Sequence, residues 1–158
     1  MEKVLWKETL KCWLFGFIYI PMIFWLKPRI IKISNQGGVL MVPFKRKTKN
    51  HVNSMFFGPF ATGADVLGGA LMLHLLGTKV KHYPFVYKNF YGEFLKRATS
   101  DVYYYCQDGQ KISDAITLTK ETGERQNIEL NIIATTPKTF GNEPVANFKL
   151  TLSLKYKN

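Results

Sequence analysis

The sequence predicts an α+β domain in which a curved antiparallel sheet wraps round one long central helix. Two observations carry this prediction. The stretch from His51 to Thr78 holds one formally charged residue, Asp65, and its apolar positions cover every face of a helix. After Pro28 the chain turns to short alternating or β-branched runs bounded by turn signals, which are typical of strands. Because antiparallel strands leave one apolar face to cover, a helix that is apolar all round fits against them.

Length and composition indicate one domain of ordinary make-up. The chain has 158 residues, 46% of them hydrophobic and 21% charged, which excludes disorder. The 22 basic and 11 acidic residues give a net charge of +11, which favours polyanions, membrane surfaces or phosphorylated small molecules as partners. A nucleic-acid partner is not expected, since no basic helix or aromatic–basic platform motif is found. Cys12 and Cys106 are too few and too scattered for a disulfide framework, which fits a reducing, cytoplasmic compartment.

The N-terminal segment is expected to form an extra helix. Residues 12–26 are an apolar run of 15 residues, with lysines before it and Lys27 and Arg29 after it. No small-residue cleavage site follows, so the run does not match a signal peptide. Pro21 and the short length disfavour a membrane span, which needs about 20 residues. We expect residues 1–28 to be a helical extension packed on the domain or on a partner chain, with a membrane-surface anchor and a true span as open alternatives.

The central helix is predicted to run from about residue 58 to residue 76. Pro59 suits its first turn, where the missing N–H costs no hydrogen bond, and Gly77 suits its end. The run is long enough to span a bilayer, but Asp65 at its midpoint argues against that interpretation. A buried carboxylate is costly, and no Lys or Arg stands within helical reach of Asp65. This acid is therefore either satisfied from elsewhere in the fold or functional.

Small residues surround the acid on one side of the predicted helix. They are Gly58, Ala61, Gly68 and Gly69. A helix side with so little bulk lets a backbone or a ligand approach closely.

Six strands are predicted around this helix. They cover residues 29–34, 39–47, 80–94 with a bend at Gly92, 101–106, 125–135 and 145–156. A tight turn at residues 35–38 joins the first two strands, and a weak amphipathic helix over residues 109–121 precedes the fifth. The last strand places four apolar side chains on one face: Phe148, Leu150, Leu152 and Leu154. Because one sheet face cannot cover an all-apolar helix completely, a homodimer or a dimer of dimers is expected.

The segment before the acid carries a resemblance to a known family. The motif consists of Asn50, Asn53, Ser54, Phe56 and Gly58, with Asp65 seven residues further on. It is similar to the active-site signature of hotdog-fold acyl-CoA thioesterases of the phenylacetate-degradation type. The family's signature has Gly at the position of Asn53, His at that of Phe56 and Gly at that of Phe57. The pattern found here resembles a divergent, uncharacterised thioesterase-like branch, and the resemblance implies a hotdog fold beyond about residue 30.

The resemblance also implies thioester hydrolysis in fatty acid metabolism, with three residues in named roles. The Gly58 N–H, at the positive end of the helix, would contact the thioester oxygen. Asp65 would activate water as general base or attack the carbonyl directly, and Asn50 would position the water or the acid. In such dimers the acid and the helix-end N–H come from opposite subunits. Coenzyme A would be part of the substrate, and no separate cofactor is expected.

Candidate substrate-binding residues follow from the same resemblance. Basic side chains that would hold the phosphates of coenzyme A, or would be solvated surface, are Arg46, Lys47, Lys96 and Arg97. Side chains that would line an acyl pocket, or would be plain core, are Phe56, Phe57, Phe60 and Met72. Ser54 would add a hydroxyl group to the site or cap the approach to the helix.

Two other functions stay open. A non-catalytic dimer that binds acyl groups or acyl-CoA is favoured by Phe56 in place of the family's His, and opposed by Asp65. A dehydratase of 3-hydroxyacyl thioesters is favoured by His51, which stands 14 residues before the acid, as in the related hotdog dehydratases. The Pro-Gly that those enzymes carry before the acid is missing. His74 and His82 have no ligand spacing with any Cys or acid, so a metal site is not expected.

Overall fold

Six antiparallel strands form one sheet in the computed structural model, which describes residues 3–157. The strands are β1 (Arg29–Ile33), β2 (Gly38–Val42), β3 (Phe85–Phe94), β4 (Val102–Cys106), β5 (Gln126–Thr135) and β6 (Pro144–Leu154). The helices are α1 (Trp6–Tyr19), α2 (Pro21–Leu26), α3 (Phe57–Leu76), α4 (Gly109–Thr122) and α5 (Pro137–Phe140). The strand order is β1-β2-β4-β5-β6-β3, so that β1 and β3 are the two edges of the sheet. The predicted architecture of a sheet with one central helix is confirmed.

The long helix α3 packs against the sheet and supplies the middle of the core. Its most buried side chains, each at most 2% exposed, are Ala64, Leu67, Leu71 and Met72. The sheet contributes the apolar face predicted for the last strand to the same core. Its side chains are at most 1% exposed: Phe148, Leu150, Leu152 and Leu154. Burial of this much apolar surface is the main favourable contribution to folding.

Gly63 sets the distance between α3 and β4. A Cβ atom on Gly63 would lie 2.4 Å from Cζ of Tyr104, whose side chain is fully buried. The Tyr104 ring stacks in turn on Phe148 of β6, with ring centroids 6.3 Å apart. A residue without a side chain on the helix therefore makes room for a large ring on the sheet.

The predicted N-terminal helical extension is present and is divided at Pro21 into two helices. α1 begins at Trp6 and ends at Tyr19, and α2 begins at Pro21, because a proline has no N–H to continue α1. Three hydrogen bonds attach α1 to the segment before and within β1. They join Leu5 N–H to Ile30 O (2.8 Å), Ile30 N–H to Thr9 Oγ1 (3.0 Å) and Trp13 Nε1–H to Pro28 O (2.7 Å).

One helical segment among the described residues is long and apolar enough to cross a membrane. It is Phe57–His82, which comprises α3 and the 3₁₀ turn after it. Its most hydrophobic window is half buried inside the domain, and the sheet packs along it. Its apolar composition is therefore that of a core helix.

The predictions for β2 and β3 differ from the structure. β3 begins at Phe85 instead of residue 80, because Gly77–His82 form a 3₁₀ turn and Pro84 has no N–H for the ladder. β2 ends at Val42 instead of residue 47, because Pro43 offers no N–H to the ladder and the chain then forms a 3₁₀ turn at Arg46–Thr48. In β3 the register shift follows Tyr87, whereas Gly92 pairs regularly with β6. The bulge therefore lies beside the middle of α3.

Candidate active site

Asp65 lies in the middle of α3 and lines a cavity of about 680 Å³, here called the Asp65 cavity. Among residues 3–157, no ion pair and no hydrogen bond reaches its carboxyl group. Burial raises the pKa of this carboxyl group, since the loss of water penalises its charged form. An unpaired acid with raised proton affinity in a cavity is suited to general-base chemistry.

The Asp65 cavity lies under the N-terminal helices, between the two edges of the sheet. The N-terminal helices contribute Cys12, Phe15, Ile20 and Ile23. The edge strands contribute Ile30, Ile33, Phe85, Val86 and Tyr87, and α3 contributes Asp65, Val66, Gly69, Ala70, Leu73 and His74. Glu8 and Lys11 also line the cavity and form an ion pair with each other, at 3.1 Å. A mostly apolar lining with few polar groups is typical of a pocket for a hydrophobic ligand.

Tyr87 is a residue of this site that the sequence prediction missed. Its phenol donates a hydrogen bond to the main-chain carbonyl of Asp65, at 3.1 Å. Burial, and next the charge of Asp65, raise the pKa of Tyr87 well above its ordinary value, so the phenol stays protonated. The only sequence signal for this contact is the inward alternation of β3, which places Tyr87 on the same face as Phe85.

The small residues beside the acid have different neighbours. A Cβ atom on Gly68 would lie 2.3 Å from the Tyr87 hydroxyl, so this glycine admits the phenol. A Cβ atom on Gly69 would meet nothing within 4 Å, and this residue opens onto the cavity. Gly58 faces the ring of Phe56 instead. The small residues predicted on one side of the helix thus have two uses: Gly68 allows the contact with Tyr87, and Gly69 leaves open space in the cavity.

Asn50 holds the loop that leads into α3. Its Oδ1 accepts hydrogen bonds from the N–H groups of Val52 (3.1 Å) and Ser54 (3.0 Å). Its Nδ2 donates to Ser54 Oγ at 2.9 Å, and Asn53 has a left-handed backbone with φ 55°. The side chain of Asn50 is thus used within its own loop, which fixes the approach to the helix.

A second cavity, of about 400 Å³, lies at the N-terminus of α3 and is here called the Asn50 groove. It is lined by Asn50, Ser54, Met55, Phe57, Phe60, Phe94, Leu95, Lys96, Arg97 and Ala98. The groove therefore combines the motif residues Asn50 and Ser54 with aromatic rings and two cations.

The start of α3 presents main-chain N–H groups beside this groove. The first N–H groups of a helix have no partner within it, and no side chain caps this N-terminus. The first turn closes with the Phe60 N–H bonded to Phe56 O, at 3.2 Å. Since Pro59 has no N–H, Phe57 and Gly58 carry the free donors. Helix-end donors of this kind attract a developing negative charge.

The two halves of the predicted site lie apart within one chain. Gly58 and Asp65 are separated by seven residues of helix, which is about 10 Å along the axis. Asp65 lines the Asp65 cavity, whereas Gly58 lines neither cavity and follows Phe57, which lines the Asn50 groove. One copy of the chain therefore does not bring the acid to the helix-end N–H groups.

The other predicted residues fall in several places. Lys96 and Arg97 line the Asn50 groove, and Lys96 also forms an ion pair with Glu143. Arg46 and Lys47 are exposed and line neither cavity. Of the apolar candidates, Phe57 and Phe60 line the groove, Phe56 is half exposed beside it, and Met72 is fully buried in the core.

His51 is exposed on the loop and lines neither cavity. In the described part of the chain, no three His, Cys, Asp or Glu side chains are grouped so as to hold a metal ion.

Comparison with known proteins gives matches by structure alone. No family model and no curated protein matches the chain by sequence. The protein PA5026 of Pseudomonas aeruginosa, of unknown function and described as a probable thioesterase, superimposes with a TM-score of 0.77 at 21% identity. That match covers 94% of this chain and 96% of PA5026.

Two further structures extend this result. The protein OLEI01261 of Chlorobaculum tepidum, of unknown function, superimposes with a TM-score of 0.80 at 11% identity, over 99% of each chain. The thioesterase PA1618 of P. aeruginosa superimposes with a TM-score of 0.65 at 16% identity, over 86% of each chain. The strand order, the central helix and these superpositions together show that the chain has the hotdog fold.

Proposed function

We propose that the protein is a thioesterase that hydrolyses a fatty or aryl acyl-CoA, with Asp65 as general base or nucleophile. The observation that carries this proposal is the unpaired, partly buried carboxyl group of Asp65 on the wall of a 680 Å³ apolar cavity. The structural likeness to the thioesterase PA1618 supports the same class of reaction.

The reaction needs a proton acceptor and a stabilised oxyanion. As general base, Asp65 takes a proton from water while the water oxygen bonds to the thioester carbon. The carbonyl oxygen becomes an oxyanion, which is held by the free N–H groups at a helix N-terminus. When the C–S bond breaks, the thiolate leaves and takes the proton from Asp65, which gives a carboxylic acid and free coenzyme A.

A second copy of the chain is proposed to supply the helix-end N–H groups, including that of Gly58. Strand β3 is an edge of the sheet, and its exposed apolar side chains include Val86 and Tyr91, both 61% exposed. Such an edge is a template for antiparallel pairing with another chain. Pairing of two β3 edges would place the Asn50 groove of one copy near the Asp65 cavity of the other.

The substrate is proposed to divide between the two cavities. Its acyl chain would occupy the Asp65 cavity, whose volume lies within the roughly 300–1,000 Å³ of ordinary ligand pockets. Its phosphates would meet Lys96 and Arg97 at the Asn50 groove. No further cofactor is required for hydrolysis.

The proposal is tested by thiol release from short, medium, long and aryl acyl-CoAs with the wild type, Asp65→Asn and the control Asp114→Asn. Asp114 is an exposed acid on α4 and has no place in the proposed mechanism. We expect Asp65→Asn to lower kcat by about 100-fold or more, the usual range for loss of a general base. Equal rates for the wild type and Asp65→Asn would remove this acid from the mechanism.

A non-catalytic function, the binding of acyl-CoA without turnover, is the second candidate. It is favoured by the Asn50 side chain, which is used within its own loop and leaves Asp65 without a positioning partner. Binding of an acyl-CoA in the absence of thiol release, measured by calorimetry, would select this candidate over hydrolysis.

A further inference from the structure

The outer face of the two N-terminal helices exposes a continuous set of large apolar side chains. This set, here called the outer face, consists of Leu10, Leu14, Phe17, Ile18, Met22 and Trp25. Leu14 is 60% exposed, Phe17 63% and Met22 60%. The first four members stand at spacings of four, three and one, which form a single stripe along α1. Large contiguous apolar patches on a soluble domain mark an interaction surface.

Apart from Met22, whose Sδ accepts a hydrogen bond from Thr62 of α3 at 3.5 Å, the outer face is separate from the surface that attaches these helices to the domain. The inner side of α1 buries Thr9 and Gly16 completely or nearly so, and in α2 Ile23 and Leu26 are at most 5% exposed. A Cβ atom on Gly16 would lie 2.7 Å from the main-chain N of Phe24, so the two helices are closely packed. The helices are thus apolar on both sides, and only the inner side is needed for the fold.

Cations border the outer face at both ends. Lys3 and Lys7 stand on its N-terminal side, and Lys27 and Lys47 on its C-terminal side. Lys27 Nζ lies 3.3 Å from the ring centroid of Phe24 and 4.4 Å from that of Trp13.

The C-terminal end is strongly cationic. Lys47 Nζ lies 5.0 Å from the Trp25 ring and donates a hydrogen bond to the Trp25 carbonyl. Burial, and next the charge of Lys27, lower the pKa of Lys47. Between residues 3 and 29 the sequence has one acid, Glu8, and Lys11 already pairs with it.

Charge decides between the two occupants that an apolar face of this kind admits. A second copy of the chain would bring its own lysines against these lysines, and like charges oppose that contact. An anionic lipid bilayer would instead neutralise them, while tryptophans and lysines suit the interface between headgroups and acyl chains.

We propose that the outer face of α1 and α2 docks on anionic lipid bilayers, with Leu10, Leu14 and Phe17 inserted among the acyl chains and the flanking lysines at the headgroups. The helices lie in the plane of the interface and do not cross it. This proposal does not depend on the thioesterase activity, since it concerns the side of the helices that faces away from the Asp65 cavity.

The test is sedimentation of the full chain with vesicles of phosphatidylcholine alone or mixed with phosphatidylglycerol. We expect the wild type to sediment with the mixed vesicles at low salt. We expect it to stay in the supernatant with vesicles of phosphatidylcholine alone, and with the mixed vesicles at high salt. The double variant Leu14→Ser/Phe17→Ser is expected to bind at least tenfold more weakly. The matched control is Leu118→Ser/Ile133→Ser, which changes two side chains that are each 46% exposed elsewhere on the surface, and its binding is expected to be unchanged.

Thermal unfolding of both variants is measured to check that they fold. Light scattering without vesicles gives the mass of the wild type and of both variants. Absence of sedimentation with mixed vesicles would overturn the proposal, as would equal binding by the wild type and Leu14→Ser/Phe17→Ser. A wild-type oligomer that Leu14→Ser/Phe17→Ser dissociates would also overturn it, because the outer face would then be a contact between copies of the chain.

Discussion

The phenol oxygen of Tyr87 lies 3.1 Å from the main-chain carbonyl oxygen of Asp65, and this hydrogen bond ties edge strand β3 to the middle of α3. The contact depends on Gly68, since a side chain there would occupy the place of the hydroxyl group. The edge strand proposed to meet a second chain is thereby linked to the acid proposed to do the chemistry.

The variant Tyr87→Phe is expected to lower the free energy of unfolding by about 0.5 to 1.5 kcal/mol, the usual net contribution of one hydrogen bond. The measurement is urea denaturation followed by circular dichroism. The control is Tyr19→Phe at the end of α1, where the side chain is 69% exposed and little change is expected. Equal losses in the two variants would show that the phenol of Tyr87 does not stabilise the fold.

Stability is expected to depend on pH through Asp65. Burial raises its pKa in the folded state above the unfolded value, so folding favours the protonated form. Its contribution to stability is fully present below the unfolded pKa and is lost as pH rises through the folded pKa. The variant Asp65→Asn removes this loss. We therefore expect its urea midpoint, relative to the wild type, to increase from acidic to neutral pH, and a constant difference would contradict the pKa shift.

The pair Gly63→Ala and Gly69→Ala tests the packing of α3. In Gly63→Ala the new methyl group meets the buried Tyr104 ring, and we expect a loss of about 1 to 3 kcal/mol from overpacking. In Gly69→Ala the methyl group has open space, and we expect a gain of up to about 1 kcal/mol from helix propensity. Urea denaturation measures both. Opposite signs are the expected result, and a loss in Gly69→Ala would show that the space beside Asp65 is not open.

The proposed dimer is tested by charges on the edge strand. Lysine on an edge strand opposes pairing with another chain, so Asn89→Lys/Tyr91→Lys, at two exposed positions of β3 that line neither cavity, is expected to give a monomer. Analytical ultracentrifugation compares its mass with twice the 18.2 kDa of one chain, expected for the wild type. If the helix-end N–H groups come from a second copy, this variant also loses thiol release. Full activity in a monomer would contradict a site shared between subunits.

The fold could be predicted largely from the sequence because the strongest patterns are local. The all-round apolar run gave α3 to within one residue, and the alternation around Leu150 and Leu152 gave the buried face of β6. The N-terminal segment was less accurate. The apolar run begins at Cys12, whereas α1 begins at Trp6. The apolar pattern misses the first turns of α1 because they are amphipathic and carry three lysine or glutamate residues.

The site was less accessible to sequence reasoning, because its contacts join distant parts of the chain. Asp65 was singled out by its isolation in an apolar run, but Tyr87 stands 22 residues away, and the bulge that follows it leaves no clear mark in the sequence. The motif resemblance joined Asn50 to Asp65 in one site. Within one chain they line different cavities, since the first two turns of α3 lie between the loop that holds Asn50 and Asp65.

The attachment of α1 has a consequence for the size of the Asp65 cavity. Its three hydrogen bonds to the domain all end on residues 28–30, and none reaches α3 or β3. The roof of the cavity and the six-stranded frame beneath it are therefore built from separate stretches of chain. Changes in the bulk of the α1 side chains that line the cavity, Cys12 and Phe15, can enlarge or shrink the chamber without altering the pairing of any strand.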